Sequence, residues 1–214
     1  MHTTEHDGLF DYENKARLAA RKQLPLVLAS SSVYRQELLQ RIKIPFISAS
    51  PNVDETAHEN ETPIQLVQRL AIAKARALQI QFPAHFIIGS DQAAVCNGQI
   101  FGKPGTVEAA VQQLQHCSGM AVTFYTGLAL LNSATDELYA LTEPYTVYFR
   151  DLNEAQIRRY IQKEQPLNCA GSFKSEGLGI TLFRRMQGDD PNSLIGLPLI
   201  RLVELLERFG VEVP

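Results

Sequence analysis

The sequence predicts an α/β protein with a mixed central sheet flanked by helices. Short apolar runs alternate with amphipathic segments early in the chain, and two long β-rich runs follow one another in the middle. The first pattern favours parallel strands joined by helices, and the second favours an antiparallel pair. Neither a repeat nor a linker divides residues 24–214, so we expect a single domain there. Residues 1–23 are polar and predict a loosely ordered extension with a short helix near 12–22.

The first half of the domain predicts strands and capped helices in turn. The apolar run over 24–30 predicts a buried strand, and the serines at its end open a helix over 33–42. "FISAS" predicts a second strand over 46–50. A Thr-Pro pair then opens a long helix over 63–81. "HFIIGSDQAAV", over 85–95, begins as a third buried strand and ends in a Gly-Ser-Asp turn.

The second half predicts a hairpin, an antiparallel pair and further helices. Asn97 and Gly98 together form the strongest short-range hairpin signal. Thr106 and Asn153 are predicted helix N-caps, because their side-chain oxygens accept from free backbone N–H groups. The elements expected after the hairpin are a helix over 107–117, paired strands over 122–132 and 138–149, a helix over 154–163, a strand over 179–183 and a helix over 192–209.

Composition limits the classes of partner. The formal net charge of −3 gives no overall attraction to nucleic acid or to an anionic membrane. No apolar run has the length of a membrane span. Cys96, Cys117 and Cys169 match no CxxC pattern and are odd in number, so we expect reduced thiols in a cytoplasmic protein. Any anion site must therefore be local.

Two basic residues fall on helix faces that should be apolar. In the helix over 63–81, Lys74 lies within the apolar arc rather than opposite it. A lysine there must be paired, must snorkel to solvent, or must point at an anion. Arg35 likewise projects between Leu39 and Ile42, in the first turn after the serines. Its guanidinium can therefore reach the serine loop.

The serines before that helix allow two interpretations. Three serines at a helix start are most often an N-cap. With Arg35 beside them, the hydroxyls of Ser30 and Ser31, the free backbone N–H groups and the helix dipole also favour a phosphate. The GxxxxGK[ST] motif is absent from the chain, so this is not a Walker loop.

Carboxylates and further lysines occur near other junctions. Asp91 follows a buried strand, where it either caps a turn or lies at the ligand-binding end of the sheet. Asp54 and Glu55 are either solvated loop charges or, with Asp91, a Mg²⁺ site. Lys103 in "GKP" and Lys174 in "GSFKSEG" are predicted to lie in turns. Each turn is either a solvated loop or a place where the backbone comes close to a ligand. Together these residues suit a polyphosphate with a divalent metal.

The chain resembles the Maf family of nucleotide pyrophosphatases. The matching segments, in family order, are "LASSSVYRQELL", "NVDET", "RLAIAKA", "IIGSDQ", "GKPGT", "SGMAVTFYTGLAL", "CAGSFKSEGLGI" and "DPNSLIGLPL". They cover nearly all of residues 24–210, so the resemblance implies a single Maf-like domain over residues 24–214. The resemblance implies two lobes with a cleft, as in inosine triphosphatase, and a homodimer. Val33 replaces the family proline after the serines, which should cost some preorganisation of the helix.

The resemblance also implies hydrolysis of a nucleoside triphosphate to its monophosphate and pyrophosphate with a divalent cation, Mg²⁺ or Mn²⁺. Asp91 would stand at the position of the general base and activate water. The implied metal ligands are Asp54, Glu55 and Asp91. The implied phosphate-binding residues are Ser30, Ser31, Arg35, Lys74, Lys103 and Lys174.

Three positions match the branch of the family that acts on 7-methyl-GTP: Tyr34, Gln92 and Glu176. N7-methylguanine is cationic, so an aromatic face and a carboxylate favour it. Gln92 would read a base edge as donor and acceptor at once. Two alternatives stay open: a sister specificity for dTTP, UTP or another modified nucleotide, and a non-catalytic, nucleotide-binding regulator of cell division.

Overall fold

The computed structural model describes residues 24–213 and confirms the α/β class. The strands within this range are β1 (Leu26–Ala29), β2 (Phe46–Ala49), β3 (Phe86–Cys96), β4 (Gln99–Phe101), β5 (Ala121–Asn132), β6 (Glu137–Phe149) and β7 (Phe183–Gly188). The α-helices are α1 (Val33–Gln40), α2 (Pro63–Ala77), α3 (Val107–Cys117), α4 (Glu154–Glu164) and α5 (Leu199–Arg208). Across residues 24–213, no helix combines the length and the apolar character that a membrane crossing needs. The predicted extension and its helix lie outside the described residues.

The strands form one mixed sheet in the order β2-β1-β3-β5-β6-β7, with β4 paired to the end of β3. β1 pairs in parallel with β2 and β3, and the other pairs are antiparallel. The predicted antiparallel pair is confirmed as β5 and β6. The predicted hairpin is confirmed too: Asn97 and Gly98 have φ values of 48° and 78°, and a two-residue type I′ turn needs positive φ at both positions.

Two lobes share this sheet, because β3, β5 and β6 are long enough to serve both. In the first lobe, α1 and α5 cover one face of the sheet and α2 covers the other. In the second lobe, α3, α4 and β7 enclose a separate apolar core. Phe149, Phe173 and Phe183 meet there edge to face. The predicted two-lobed architecture is thus built on one continuous sheet.

Helix α2 lies directly against the sheet at two glycines. A Cβ atom added to Gly89 would lie 2.0 Å from the Ala71 carbonyl oxygen, and one added to Gly127 would lie 2.1 Å from that of Val67. Such distances are far inside van der Waals contact, so only glycine permits this approach. The glycines therefore set the depth at which every side chain of α2 meets the sheet.

The prediction of a strand over 179–183 is wrong. Residues Leu178–Leu182 form a 3₁₀ helix, and the strand begins at Phe183. A Cβ on Gly179 would lie 2.2 Å from the Lys174 carbonyl oxygen, so the chain folds back on itself there. The observed strand β7 carries exposed arginines instead of an apolar run, which is why its sequence gave no strand signal.

The prediction that the last helix begins at residue 192 is also wrong. Pro191–Ile195 form a separate 3₁₀ helix, and α5 begins only at Leu199. Gly196 separates them with a φ of 117°, a conformation that no α-helix contains. The interruption turns the backbone carbonyls of this segment toward the sheet.

The close packing of α2 predicts a large effect of a small substitution. Gly127→Ala should lower the free energy of unfolding by about 1–3 kcal/mol, because the new methyl group forces α2 away from the sheet. Urea unfolding followed by circular dichroism measures this. Gly102→Ala is the matched control, since a Cβ there meets nothing within 4 Å. Equal midpoints for the two variants would show that α2 adjusts freely.

Candidate active site

The ammonium group of Lys74 lies between two carboxylates at the junction of the lobes. Its Nζ is 2.6 Å from Asp91 Oδ1 and 2.7 Å from Glu55 Oε1. The side chain of Lys74 is 8% exposed, that of Asp91 14% and that of Glu55 61%. Lys74 is therefore paired, and it does not snorkel. A buried ammonium of this kind is compensated only because both acidic partners are present.

The register of the sheet brings Asp91 to this position. β1 pairs with β3 only as far as Ala29 opposite Gly89, so Asp91 lies beyond the C-terminal end of β1. Residues two apart on a strand share a face. Asp91 thus points to the same face as Gly89, where α2 packs, and it meets Lys74 there.

Arg35 is held beside this group by the far end of the chain. Its Nε donates to the carbonyl of Gly196 at 2.8 Å, and its guanidinium contacts Ser30 Oγ at 3.5 Å. Burial lowers the pKa of the Arg35 guanidinium, and the negative charges of Asp91 and Glu55 oppose that shift. The predicted approach of Arg35 to the serines is therefore observed, and its charge faces both carboxylates.

The three serines have different surroundings. Ser32 is the N-cap of α1, because its side chain accepts from the Arg35 backbone N–H. Ser30 is buried, and its Oγ also accepts from the Ser32 N–H at 3.1 Å. Ser31 is exposed just before the N-terminus of α1. The N-cap interpretation thus holds for Ser32, and the phosphate role stays a prediction for Ser30 and Ser31.

Lys103 approaches the same cluster from the loop after β4. The hydrogen bond from Lys74 is the main cause that lowers the pKa of the Glu55 carboxyl, while the charges of Lys103 and Arg35 add to it and partial burial opposes it. Lys103 itself is exposed. The structure therefore brings together Arg35, Lys74, Asp91 and Glu55, with Lys103 at the edge.

Lys174 belongs to a second group, around Tyr34. Its Nζ is 3.6 Å from Glu164 Oε1 on α4. Burial works against its charge, but the neighbouring Tyr34, Cys169 and Glu164 groups raise the pKa of Lys174 overall. For Tyr34, burial raises the pKa of the hydroxyl. The neighbouring Cys169 adds to this rise, and Lys174 opposes it. Tyr34 and Arg35 are consecutive residues of α1, so both groups are supported by the first turn of this helix.

Gln92 is fixed by backbone carbonyls. Its Nε2 donates to Ser193 O at 2.7 Å and to Leu194 O at 3.2 Å, and it lies 3.1 Å from Thr126 Oγ1. These contacts occupy the amide N–H groups. The expectation that Gln92 offers a donor and an acceptor at once is therefore wrong on the donor side, and its carbonyl oxygen is the atom left to accept.

Glu176 and Asp54 lie at the surface. Glu176 is exposed, and its Oε2 accepts from Ser175 Oγ at 3.3 Å. Asp54 is exposed as well, and its Oδ1 accepts from the Thr56 backbone N–H at 2.9 Å. The structure brings neither carboxylate into contact with Lys74, so their predicted roles stay predictions.

Comparison with known proteins agrees with these features. A family model described as Maf-like protein matches residues 25–209. The chain belongs to the Maf-like family. It is 57% identical over 189 residues to a 7-methyl-GTP pyrophosphatase from Pseudomonas aeruginosa, covering 88% of this chain and 98% of that one. It is 56% identical over 188 residues to a 7-methyl-GTP pyrophosphatase from Vibrio cholerae, covering 88% and 97%.

A solved structure of a HAM1 protein from Coxiella burnetii has a similar fold. Its TM-score with this Maf-like chain is 0.51, and the match covers 87% of this chain and 100% of that one. At 16% sequence identity the similarity concerns the fold alone. It agrees with the two-lobed mixed sheet described above.

Sequence reasoning assigned no role to one segment of this Maf-like chain that contacts the candidate site residues: residues 190–196. The carbonyl of Gly196 accepts from Arg35 and lies 2.9 Å from Ser90 Oγ, and the carbonyl of Ser193 accepts from Gln92. Fully buried Asp190 anchors the segment by accepting from the backbone N–H groups of Asn192 and Ile200. The sequence signal that could have indicated this segment is the run "DPNSLIGLP" over 190–198, because its glycine interrupts a helix.

The loop that carries Glu55 is held by an ion pair at its end. Arg69 Nε and Nη2 donate to the two carboxylate oxygens of Glu61 at 2.6 and 2.8 Å. The same guanidinium donates to the Thr56 carbonyl at 3.1 Å. This hydrogen bonding lowers the pKa of Glu61 to about 2. The Maf-like loop is thus tied to α2, the helix that carries Lys74.

The donor set partly fits a hard divalent cation. In the part of the chain from 24 to 213, no three His, Cys, Asp or Glu side chains form a ready metal site. Glu55 and Asp91, however, present carboxylate oxygens to one point, now facing Lys74. Mg²⁺ is commonly held by one or two carboxylates together with substrate phosphates and water. Two carboxylates of this chain therefore suit Mg²⁺ bound jointly with a phosphate.

The ion pair predicts a measurable pKa change. Lys74→Met should raise the pKa of the Glu55 carboxyl toward its usual value, so that Glu55 takes up its proton at a higher pH than in the wild type. A ¹³C NMR titration of the carboxylate carbons measures this. Arg76→Met is the matched control, because Arg76 lies on the same helix but pairs with Asp136. An unchanged Glu55 pKa in Lys74→Met would contradict the assignment.

Proposed function

We propose that this protein is a nucleoside triphosphate pyrophosphatase that hydrolyses 7-methyl-GTP to 7-methyl-GMP and pyrophosphate. The observation that carries the proposal is the buried contact of Lys74 with Asp91, next to Arg35. Relatives with more than half their residues identical are named for this activity. A protein of this kind removes a modified nucleotide before it is used. Its location in the cytoplasm and a homodimeric state are further predictions.

In the proposed reaction Asp91 acts as the general base. Its Oδ1 accepts from Lys74, so Oδ2 would take the proton of the attacking water. The water oxygen forms a bond to the α-phosphorus, and the bond from that phosphorus to the α–β bridging oxygen breaks. Pyrophosphate leaves with the bonding electrons. Lys74 keeps the carboxylate oriented while the proton moves.

The basic residues would hold the triphosphate. Arg35 presents a planar guanidinium that suits two phosphate oxygens, while Lys74, Lys103 and Lys174 act as point charges. In the observed structure Lys74 contacts Asp91 and Glu55, and the negative charges of these two carboxylates also raise the pKa of Arg35. A phosphate that enters between Arg35 and Lys74 would gain a contact with each cation, while Lys74 keeps its hydrogen bond to Asp91 Oδ1. The free N–H groups at the start of α1, with Ser30 and Ser31, add neutral donors.

A divalent cation, Mg²⁺ or Mn²⁺, is part of the proposal. Glu55 and Asp91 would hold it together with phosphate oxygens, and Asp54 would reach it through a rotation of its exposed side chain. When bound, such an ion neutralises phosphate charge and acts as a Lewis acid. The carboxylates of this chain would then serve to place the ion beside the triphosphate.

Selection of the base is assigned to Tyr34, Gln92 and Glu176. The aromatic face of Tyr34 and the charge of Glu176 favour the cationic methylated purine. Gln92, whose amide N–H groups are occupied, would accept a hydrogen bond from a base N–H through its carbonyl oxygen. An uncharged pyrimidine would lose the charge pairing with Glu176.

The role of Asp91 predicts the effect of removing its charge. Asp91→Asn should lower kcat for 7-methyl-GTP by about 100- to 10,000-fold, the usual range for loss of a general base. Pyrophosphate release from 7-methyl-GTP, GTP, dTTP and UTP in Mg²⁺ or Mn²⁺ measures both rate and specificity. Asp136→Asn is the control, because Asp136 pairs with Arg76 in an exposed turn away from the site.

Two results would redirect the proposal. If UTP or dTTP has a higher kcat/KM than 7-methyl-GTP, the chain belongs to the sister specificity. If the wild type turns over no nucleotide in the panel but binds one, with Asp91→Asn unchanged, the chain is a nucleotide-binding regulator.

The charge of Glu176 predicts a shift in specificity. Glu176→Gln should reduce the ratio of kcat/KM for 7-methyl-GTP over GTP about two- to fivefold, the effect of an exposed charge pair. Steady-state kinetics on both nucleotides measure the ratio. Glu154→Gln serves as control, because it removes another exposed charge, which pairs with Arg158 on α4. A constant ratio would remove Glu176 from the specificity site.

A further inference from the structure

The second lobe contains a pocket that the proposed reaction does not use. It has a volume of about 220 Å³ and lies between α4, the end of β6 and the 3₁₀ helix over 178–182. Buried Tyr160 and Leu182 form its base, and Arg150, Arg159 and Lys163 are exposed around it. Pockets for drug-sized ligands are typically about 300–1,000 Å³. This pocket therefore suits a smaller ligand.

The charge of the pocket points to an anion. Its lining contains three cations and no carboxylate. Among residues 24–213, the acidic side chains of α4 are engaged elsewhere: Glu154 pairs with Arg158, and Glu164 contacts Lys174 and the Leu178 N–H. Arg159 and Lys163 are four residues apart on one helix face, where like charges repel. A polyanion with several oxygens removes that repulsion and gives each cation a partner.

The pocket touches the loop that carries Lys174. The hydroxyl of Tyr160 accepts from the Lys174 backbone N–H at 3.1 Å. The Leu178 N–H, at the other end of this loop, donates to Glu164 Oε2 at 2.6 Å. A ligand bound against Tyr160 and the 178–182 turn therefore lies next to the hydrogen bonds that fix both ends of the loop over residues 174–178.

We propose that this pocket is a second anion site, which binds a small inorganic polyphosphate of the pyrophosphate class and stabilises the loop over residues 174–178. The site is separate from the cluster of Arg35, Lys74 and Asp91. The proposal goes beyond the pyrophosphatase activity and does not require it. Binding is electrostatic and weakens as salt is added.

Calorimetric titration with inorganic pyrophosphate tests the proposal. The titration uses full-length protein in metal-free buffer, in an Arg35→Gln background that weakens the first site. We expect one remaining binding event, and Arg159→Gln with Lys163→Gln should weaken it by at least about tenfold. Hydrogen exchange of the Lys174 and Leu178 amides should slow when pyrophosphate binds, and this slowing should vanish in the pocket variant.

The single variants Arg159→Gln and Arg158→Gln are compared as well, because Arg158→Gln removes one positive charge from the neighbouring position of α4, outside the pocket. Pyrophosphate binding that survives in the pocket variant, or that falls equally in Arg158→Gln, would overturn the proposal. Circular dichroism melting confirms that each variant folds. Nucleotide turnover is measured separately on the wild type, so inactivity there refutes the pyrophosphatase without affecting this site.

Discussion

The ammonium of Lys74 is buried at the contact between helix α2 and the sheet, and the candidate site is organised around it. A charge in that position is tolerated only with partners close by. Asp91 and Glu55 provide them at 2.6 and 2.7 Å. The contact depends in turn on Gly89 and Gly127, since a side chain at either position would push α2 outward. The close packing of α2 on the sheet is therefore required for Lys74 to reach Asp91 and Glu55.

The segment over residues 190–196 is the second support of the site. Its 3₁₀ turn and the left-handed Gly196 direct carbonyl groups toward Arg35 and Gln92. Buried Asp190 fixes the segment to the start of α5. Arg35 of α1 and the polar side chains of Ser90 and Gln92 on β3 are thus held in place by a stretch far away in sequence.

The charges of the central cluster are balanced before any ligand enters. Lys74 contacts the two anions Asp91 and Glu55, and their negative charges also favour the charged form of the neighbouring Arg35. Of the two lysines at the margins, Lys103 is exposed, whereas Lys174 already contacts Glu164. Such an arrangement keeps a buried polar group satisfied in the free protein and still leaves an attraction for an anionic substrate.

The sequence by itself determined the α/β class, the paired middle strands, the Asn-Gly hairpin and the misplaced Lys74 and Arg35, because periodicity and turn chemistry are local. It did not determine that Lys74 would meet Asp91 and Glu55, or that Gln92 would lose its donors to Ser193 and Leu194. The strand at Phe183 and the break at Gly196 also escaped it. Each of these depends on which distant backbone atoms come within reach, and only the tertiary structure decides that.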